Sequence, residues 1–257
     1  MHYFIAAHTD AGTKKKINQD SYMIKEAQTE RGRVCLCVLC DGMGGLSKGE
    51  LASAAVIRAF AQWFETQFPA LLTEFTFEKL QIQWLQIAKA VNQRLVSHTA
   101  RTGCRMGTTL VGLLLIENHY YIINVGDSRA YALLDRIYQL TKDQSLVQQQ
   151  IDLGWLSPKQ ARMHPRRNVL LQCIGASEVV VPDFYEGTIF PGTLFLLCSD
   201  GFCHVVSEEE IYAQLSPDSL WDEQTMKERI IRLTELEKTR RETDNISAVA
   251  VKVVQEE

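Results

Sequence analysis

The sequence predicts an α+β fold with antiparallel sheets in the middle and helices outside, and three observations support this prediction. Short apolar runs of strand length recur along the 257 residues. Several of these runs are joined by links that are too short for a crossover helix, which favours antiparallel hairpins. Long amphipathic helical patterns interrupt the strands in pairs instead of alternating with them, as is typical of α+β domains.

Eight segments carry the strand pattern, and two pairs of them are predicted hairpins. Glu117-Asn118 and Asp135-Arg136 are the predicted turns, because each is a short polar link between apolar runs. The predicted strands are residues 3–8, 20–26, 33–40, 107–116, 119–125, 129–134, 193–198 and 246–254.

Helices are predicted where apolar residues recur at helical spacing, first over 50–65 and 78–98. Two more are predicted near 207–214 and 222–238. The segment 143–190 has a different character, with short helical patterns, several Gly and Pro residues and the basic run HPRRN. We expect it to form a flap-like excursion from the sheets.

Composition limits the class of protein. No linker, repeat or low-complexity tract divides the chain, so residues 1–257 are predicted to form a single domain, and 46% hydrophobic residues indicate a sizeable core. The net charge of −4 is scattered, which argues against nucleic acid or an anionic membrane surface as a partner. We predict no signal peptide and no transmembrane helix, and seven cysteines without a secretory signal indicate the cytoplasm.

The pair Cys37 and Cys40 has the C-x-x-C spacing of some zinc and redox sites. Both fall in one predicted strand, where residues three apart point to opposite faces. No second such pair exists in the sequence, so we predict that these cysteines pack in the core.

Five aspartates stand where a predicted strand meets a turn, and three of them adjoin a glycine. One such residue is typical of an ordinary turn. Five at the ends of core strands predict that several carboxylates converge at one edge of stacked sheets. They are Asp20, Asp41, Asp127, Asp200 and Asp244.

Convergent carboxylates repel one another, so they require compensating positive charge. Oxygen ligands without His or Cys at ligand spacing favour Mg²⁺ or Mn²⁺ over Zn²⁺. Gly42 and Gly201, which follow two of the aspartates, would let backbone, including a carbonyl oxygen, approach an ion closely.

Six short motifs now suggest a family. The sequence resembles the metal-dependent Ser/Thr protein phosphatases of type 2C from about Ile5 to Val254, and the segment from LTKDQSL to LLQCIG resembles its bacterial members. The motifs are KKKINQD, DGMGG, MGTTL, VGDSRAY, LCSDGF and TDNIS. The resemblance implies a four-layer α/β/β/α sandwich and a phosphoserine/phosphothreonine protein phosphatase.

The resemblance also implies two Mn²⁺ or Mg²⁺ ions bridged by a water that attacks phosphorus in line. Asp41 would bridge both ions, with the Gly42 carbonyl on one of them. Asp200 and Asp244 would bind the first ion, and Asp20 would bind directly or through water.

Three further positions match the family motifs. Asp127 matches the position that bacterial members use for a third, weaker ion, while Asn245 and Thr108 would be supporting residues. Phosphorylated proteins, together with a cognate bacterial Ser/Thr kinase, would be the partners of a cytoplasmic monomer.

Two departures from the family pattern affect the chemistry. The usual phosphate-binding arginine is replaced by Lys15, which can hold a phosphate as a point charge but not by two parallel hydrogen bonds. Met43 stands where some members have a histidine assigned as general acid, so the sequence names no side chain for that role. His164 is the histidine most favoured for a catalytic use, because it lies in the excursion.

Three alternatives remain at the level of sequence. Gly42-x-Gly44 could begin a dinucleotide-binding loop, but Ser47 stands at the third glycine position and hairpins follow. A non-catalytic phosphoprotein-binding module of the same fold would have lost metal aspartates, and all five are present. A phosphatase of small phosphomonoesters would carry the same motifs.

Overall fold

The computed structural model describes residues 1–43 and 48–254, and two five-stranded antiparallel sheets form its centre. The rest of the predicted glycine-rich turn, including Gly44 and Ser47, lies outside the described residues. The first sheet has the order β1 (His2–Asp10), β10 (Ile246–Val254), β9 (Leu194–Cys198), β6 (Arg129–Leu133) and β7 (Ile137–Gln139). The second has the order β2 (Ser21–Thr29), β3 (Gly32–Cys40), β4 (Leu110–Ile116), β5 (His119–Val125) and β8 (Asp183–Thr188).

Helices cover the outer face of each sheet. The second sheet packs against α1 (Gly49–Thr66), α2 (Phe68–Thr73) and α3 (Phe77–Thr102). The first sheet packs against α7 (Glu208–Leu215) and α8 (Glu223–Thr239). Shorter helices are α4 (Leu146–Asp152), α5 (Pro158–Arg162), α6 (Asp200–Cys203) and a 3₁₀ turn at Pro217–Ser219.

Three apolar cores hold these layers together. Cys37, Val111 and Val249 belong to the core between the sheets, while Trp63 and Trp84 belong to the core beneath α1 and α3. A third core lies between the first sheet and α7 and α8. The predicted four-layer α/β/β/α sandwich is therefore confirmed, and its antiparallel strands exclude the dinucleotide-binding alternative.

The cysteine prediction is confirmed by the two faces of β3. Cys37 faces the other sheet and Cys40 faces the helices, and both side chains are fully buried. Both predicted hairpins are present as well, because Ile116 pairs with His119 and Leu133 pairs with Ile137.

The predicted excursion over 143–190 is wrong for its last part. Residues 183–188 form β8, which pairs with β5 at the edge of the second sheet. The sequence DFYEGT shows no continuous apolar run, because an edge strand is covered on fewer sides than a central one. The rest of the segment, which carries α4 and α5, does lie outside the sheets. No helix among the described residues has the length and apolar character needed to span a membrane.

Candidate metal centre

The strand register brings the five predicted aspartates to one edge of the sandwich. In the second sheet, Ser21 pairs with Cys40, so Asp20 at the start of β2 and Asp41 at the end of β3 lie side by side. In the first sheet, Cys198 pairs with both Ala248 and Arg129, so the end of β9 meets the starts of β10 and β6. Asp200, Asp244 and Asp127 follow or precede these strand ends.

Hydrogen bonds between the two sheets hold this edge closed. The Ser247 hydroxyl in β10 donates to Asp20 Oδ2 at 2.6 Å, and the Gln19 backbone N–H donates to Asn245 Oδ1 at 2.9 Å. Thr109 Oγ1 and Ser128 Oγ lie 2.7 Å apart. Short polar bridges therefore connect the segments that carry the aspartates.

Asp20 is the most deeply buried of the five aspartates, with 9% of its surface exposed. Burial, reinforced by the negative charges of Asp200 and Asp244, raises its pKa to about 7, although hydrogen bonds from Ser247 and Ser199 act in the opposite direction. A carboxyl group in this setting binds a proton or a cation in preference to standing alone as an anion.

Asp41 and Asp200 also have raised pKa values, and burial is the main cause for both. Burial raises the pKa of Asp200 to about 6, with further contributions from the charges of Asp244 and Glu242. Burial also raises the pKa of Asp41 well above its ordinary value, and the charges of Asp20 and Asp200 add to the effect. The carboxyl groups of the two sheets therefore share one electrostatic site.

Two carboxylate oxygens of this site have no hydrogen-bond donor. Asp20 Oδ1 and Asp200 Oδ1 are buried and unpartnered among the described residues. Such atoms are costly unless a cation or a proton satisfies them. No three acidic, His or Cys side chains in residues 1–43 and 48–254 form a ready-made metal cluster. The unpartnered oxygens and the mutual repulsion nevertheless fit a hard divalent cation.

Asp127 lies on the cavity side of this site. Burial, followed by the charges of Asp200 and Asp143, raises its pKa well above the ordinary value. The nearby guanidinium of Arg129 is held by Asp143, with Nη2 2.7 Å and Nε 2.9 Å from carboxylate oxygens. Asp143 thus takes up much of the positive charge of Arg129, and Asp127 keeps its negative environment.

Asp244 has a cation beside it already, because Lys15 Nζ lies 3.0 Å from Asp244 Oδ1. The predicted phosphate-binding lysine is therefore at the site. Asn245 has a structural role, since its amide donates to the backbone oxygens of Ala11 and Ile17 at 3.0 and 3.2 Å. Together these contacts tie the loop before β2 to the start of β10.

The glycines next to Asp41 and Asp200 are required by the neighbouring backbone. A Cβ at Gly42 would lie 2.5 Å from the carbonyl oxygens of Gln19 and Gly49, and one at Gly201 would lie 2.1 Å from that of Asn245. Thr108 supports the same turn, because its hydroxyl donates to the backbone oxygen of Asp41 at 2.8 Å. A side chain at either glycine would therefore collide with neighbouring backbone.

A cavity of about 320 Å³ opens beside Asp127 and Asp200, between the excursion and α6. Arg162 and Arg167 of the excursion line it, together with His204 at the end of α6. This cavity therefore joins the acidic site to a basic wall.

His204, which the sequence did not single out, lies closer to this chemistry than His164. Its Nδ1 lies 2.5 Å from Glu242 Oε2, and the other oxygen of Glu242 accepts from the backbone N–H of Asp244 at 2.9 Å. His164 instead accepts a hydrogen bond from the Arg166 backbone and does not line the cavity. Glu242 and Ser247 were also missed, although both occur in or near the TDNIS motif.

Comparison with known proteins identifies the family. A family model described as Protein phosphatase 2C matches residues 8–249. The chain is 36% identical over 208 residues to the serine/threonine phosphatase stp of Listeria monocytogenes serotype 4b, covering 79% of each chain. The chain belongs to the protein phosphatase 2C family, and the resemblance inferred from its motifs is confirmed.

Solved structures support the same assignment of fold. The crystal structure of the serine/threonine phosphatase Stp1 from Staphylococcus aureus has a TM-score of 0.85 and 29% identity, covering 100% of this chain and 96% of that one. The catalytic domain of the serine threonine protein phosphatase PstP, solved in complex with two manganese ions, has a TM-score of 0.78 and 30% identity. That match covers 98% of this chain and 99% of the PstP chain.

Proposed function

We propose that this chain is a Mn²⁺- or Mg²⁺-dependent phosphatase of phosphoserine and phosphothreonine in proteins. The observation that carries the proposal is the set of buried carboxyl groups shared by two sheet edges, with unpartnered oxygens on Asp20 and Asp200. Family membership and the similarity to serine/threonine phosphatases support the substrate class. In the cell, the protein would act as a cytoplasmic monomer and remove phosphate groups that a bacterial Ser/Thr kinase has added.

Asp20, Asp41, Asp200 and Asp244 would hold the cations, with the Gly42 carbonyl as a backbone ligand and Asp127 at a third, weaker ion. When bound, Mn²⁺ or Mg²⁺ supplies the positive charge that activates water as a nucleophile and neutralises charge on the phosphoryl group. The manganese ions in the PstP structure support this choice of cofactor.

The chain's own residues fix the carboxylates and receive the phosphate. Ser247 and Asn245 connect the two sheet edges by hydrogen bonds, which fixes the relative positions of the segments that carry the carboxylates. Lys15, whose Nζ lies 3.0 Å from Asp244 Oδ1, would hold a phosphate oxygen as a point charge. Arg162 and Arg167 line the adjoining cavity on the side of the excursion.

The non-catalytic alternative is not favoured, because a binding module has no need of the buried carboxylates at the sheet edges. Those carboxylates destabilise the fold when they are ionised and unpaired. Hydrolysis of small phosphomonoesters uses the same site, so a phosphopeptide is needed to separate that activity from protein dephosphorylation.

The test is phosphate release from a phosphothreonine peptide, measured while Mn²⁺ is titrated into metal-stripped protein. Activity should rise with Mn²⁺ and vanish in excess EDTA. Asp41→Asn should lose more than about a hundredfold in turnover, because it removes a charge that the cation needs. Asp218→Asn, at an exposed position outside the site, is the matched control. Full turnover in EDTA, or near-normal turnover of Asp41→Asn at saturating Mn²⁺, would show the proposal to be wrong.

A further inference from the structure

A groove between α1 and α3, on the outer face of the helical layer, combines a basic wall with an apolar floor. Its volume is about 730 Å³. Arg58 of α1 and Arg94, His98 and Arg101 of α3 line it, and no acidic side chain among the described residues does so. The whole chain carries a net charge of −4, so this concentration of positive charge is local.

Helical periodicity explains how the groove is built. Positions 94, 98 and 101 lie on one face of α3, because they are four and three residues apart. Val91 and Leu95 lie on the same face one turn below and, with Met106, form a floor that is only 2%, 6% and 3% exposed.

The arginines of this groove have no described partner. Arg58, Arg94 and Arg101 make no side-chain hydrogen bond or ion pair within residues 1–43 and 48–254. Two arginines elsewhere in the chain do pair, Arg31 with Glu117 and Arg240 with Glu210.

Arg58, Arg94 and Arg101 are exposed, so their like charges repel one another weakly and a ligand of opposite charge would relieve that repulsion. The dipole at the end of α3 stabilises Arg101, which lies in the last turn of the helix. Arg94 stands two turns earlier and Arg58 lies on another helix, so that explanation does not extend to them.

One end of the groove adjoins the turn that supports the metal centre. Met106 is followed by Gly107, whose carbonyl accepts from the Met43 N–H at 3.0 Å. Thr108, the next residue, donates to the backbone oxygen of Asp41. Met106 of the groove therefore stands two residues before Thr108, which supports the turn at the metal centre.

We propose that this groove binds an acidic segment of the phosphoprotein substrate, at a distance from its phosphorylated residue. Carboxylates of that segment meet the three arginines, and an apolar side chain between them packs against Leu51, which lines the groove and is 43% exposed. The substrate part of this inference rests on the proposed function. Binding through exposed charges should weaken as salt screens them.

Direct binding is measured by fluorescence anisotropy of a labelled, unphosphorylated peptide of alternating Glu and Leu. The double variant Arg94→Glu/Arg101→Glu should raise Kd by about tenfold or more, because charge reversal replaces attraction by repulsion. Arg58→Gln/Arg94→Gln removes charge without reversing it and should weaken binding in the same direction. Arg232→Glu, on the exposed face of α8, is the matched control and should leave Kd unchanged.

Three results would overturn the proposal. One is an equal Kd for wild type and both double variants when their melting temperatures match that of the control. Another is a Kd that does not change between low and high salt. The third is equal competition by an oligonucleotide of the same charge, which would show a general polyanion site instead of a polypeptide site.

Kinetics separate this proposal from the proposed function. A phosphothreonine peptide with an acidic extension should have a lower KM than the same peptide without it, and the double variant should abolish only that difference. Hydrolysis of p-nitrophenyl phosphate should be unchanged in the variant. Failure of p-nitrophenyl phosphate hydrolysis in the wild type would refute the proposed function, while an extension that leaves KM unchanged would refute the docking site alone.

Discussion

Replacing Asp20 by asparagine is expected to stabilise the metal-free protein at high pH, although it removes a predicted metal ligand. In the folded protein, burial raises the pKa of Asp20 from 3.8 to about 7. The folded state therefore keeps this proton at pH values where the unfolded chain has lost it. Stability of the metal-free protein consequently falls as pH rises from about 4 to about 7.

The size of this effect follows from the two pKa values. The pKa of Asp20 is 3.8 in the unfolded chain and about 7 in the folded protein. Because of this difference, the free energy of unfolding falls by about 3 kcal/mol between about pH 5 and about pH 8. Asparagine carries no titrating charge and keeps an oxygen that accepts from Ser247. The pH-dependent loss of stability should therefore be about 3 kcal/mol smaller in Asp20→Asn than in the wild type.

The assay is urea unfolding in EDTA at about pH 5 and about pH 8. Fluorescence of the buried Trp63 and Trp84 reports the unfolding. Asp218→Asn, at an exposed position, should follow the wild type. Added Mg²⁺ should restore stability to the wild type at high pH and do less for Asp20→Asn, since binding selects the folded state. An equal loss of stability in wild type and Asp20→Asn between the two pH values would refute the reasoning.

Three further substitutions test other parts of the site. Asp127→Ala should keep the wild-type melting temperature and two tightly bound ions. Its turnover should fall and be partly recovered at high Mn²⁺, whereas a large drop in melting temperature would indicate a structural role. Lys15→Ala should raise KM for phosphopeptides, while Lys15→Arg should stay active. An unchanged KM in Lys15→Ala would place the phosphate contact elsewhere, with Arg167 as the next candidate. Gly42→Ala should lower the unfolding free energy by about 1–3 kcal/mol in urea titrations, because its Cβ would lie 2.5 Å from the Gln19 carbonyl oxygen; wild-type stability would contradict that packing.

The positions of the aspartates could be predicted because the ends of the central strands can be recognised in the sequence. Asp41 and Asp200 follow continuous apolar runs, and those runs are the central strands β3 and β9. The antiparallel register then brings the strand ends together, so a local pattern was enough to predict a convergence that spans the chain.

The long-range side-chain contacts of the site could not be predicted in the same way. Ser247 bonds to Asp20 across 227 positions of sequence, and Glu242 bonds to His204 across 38. Nothing in a local pattern says which strand of one sheet lies over which strand of the other. The sequence favoured His164 because it lies in the excursion, whereas only the packing of α6 shows that His204 lines the cavity.

The edge strand β8 and the short helix α2 were the elements that the sequence predicted least well. Strand β8 alternates polar and apolar residues weakly, and no residue in it is fully buried. A strand paired on only one side does not need an apolar run, so it reads as a loop. The short helix α2 was missed for a related reason, because its six residues are too few to show a helical period.

The central claim is that carboxylates from both sheet edges hold divalent cations together, and calorimetric titration of Mn²⁺ into metal-stripped protein tests it most directly. We expect two tightly bound ions in the wild type. Tight binding should be lost both in Asp41→Asn, from the second sheet, and in Asp200→Asn, from the first. Tight binding that survives in either variant, or no saturable binding in the wild type, would show that the carboxylates do not hold the cations together.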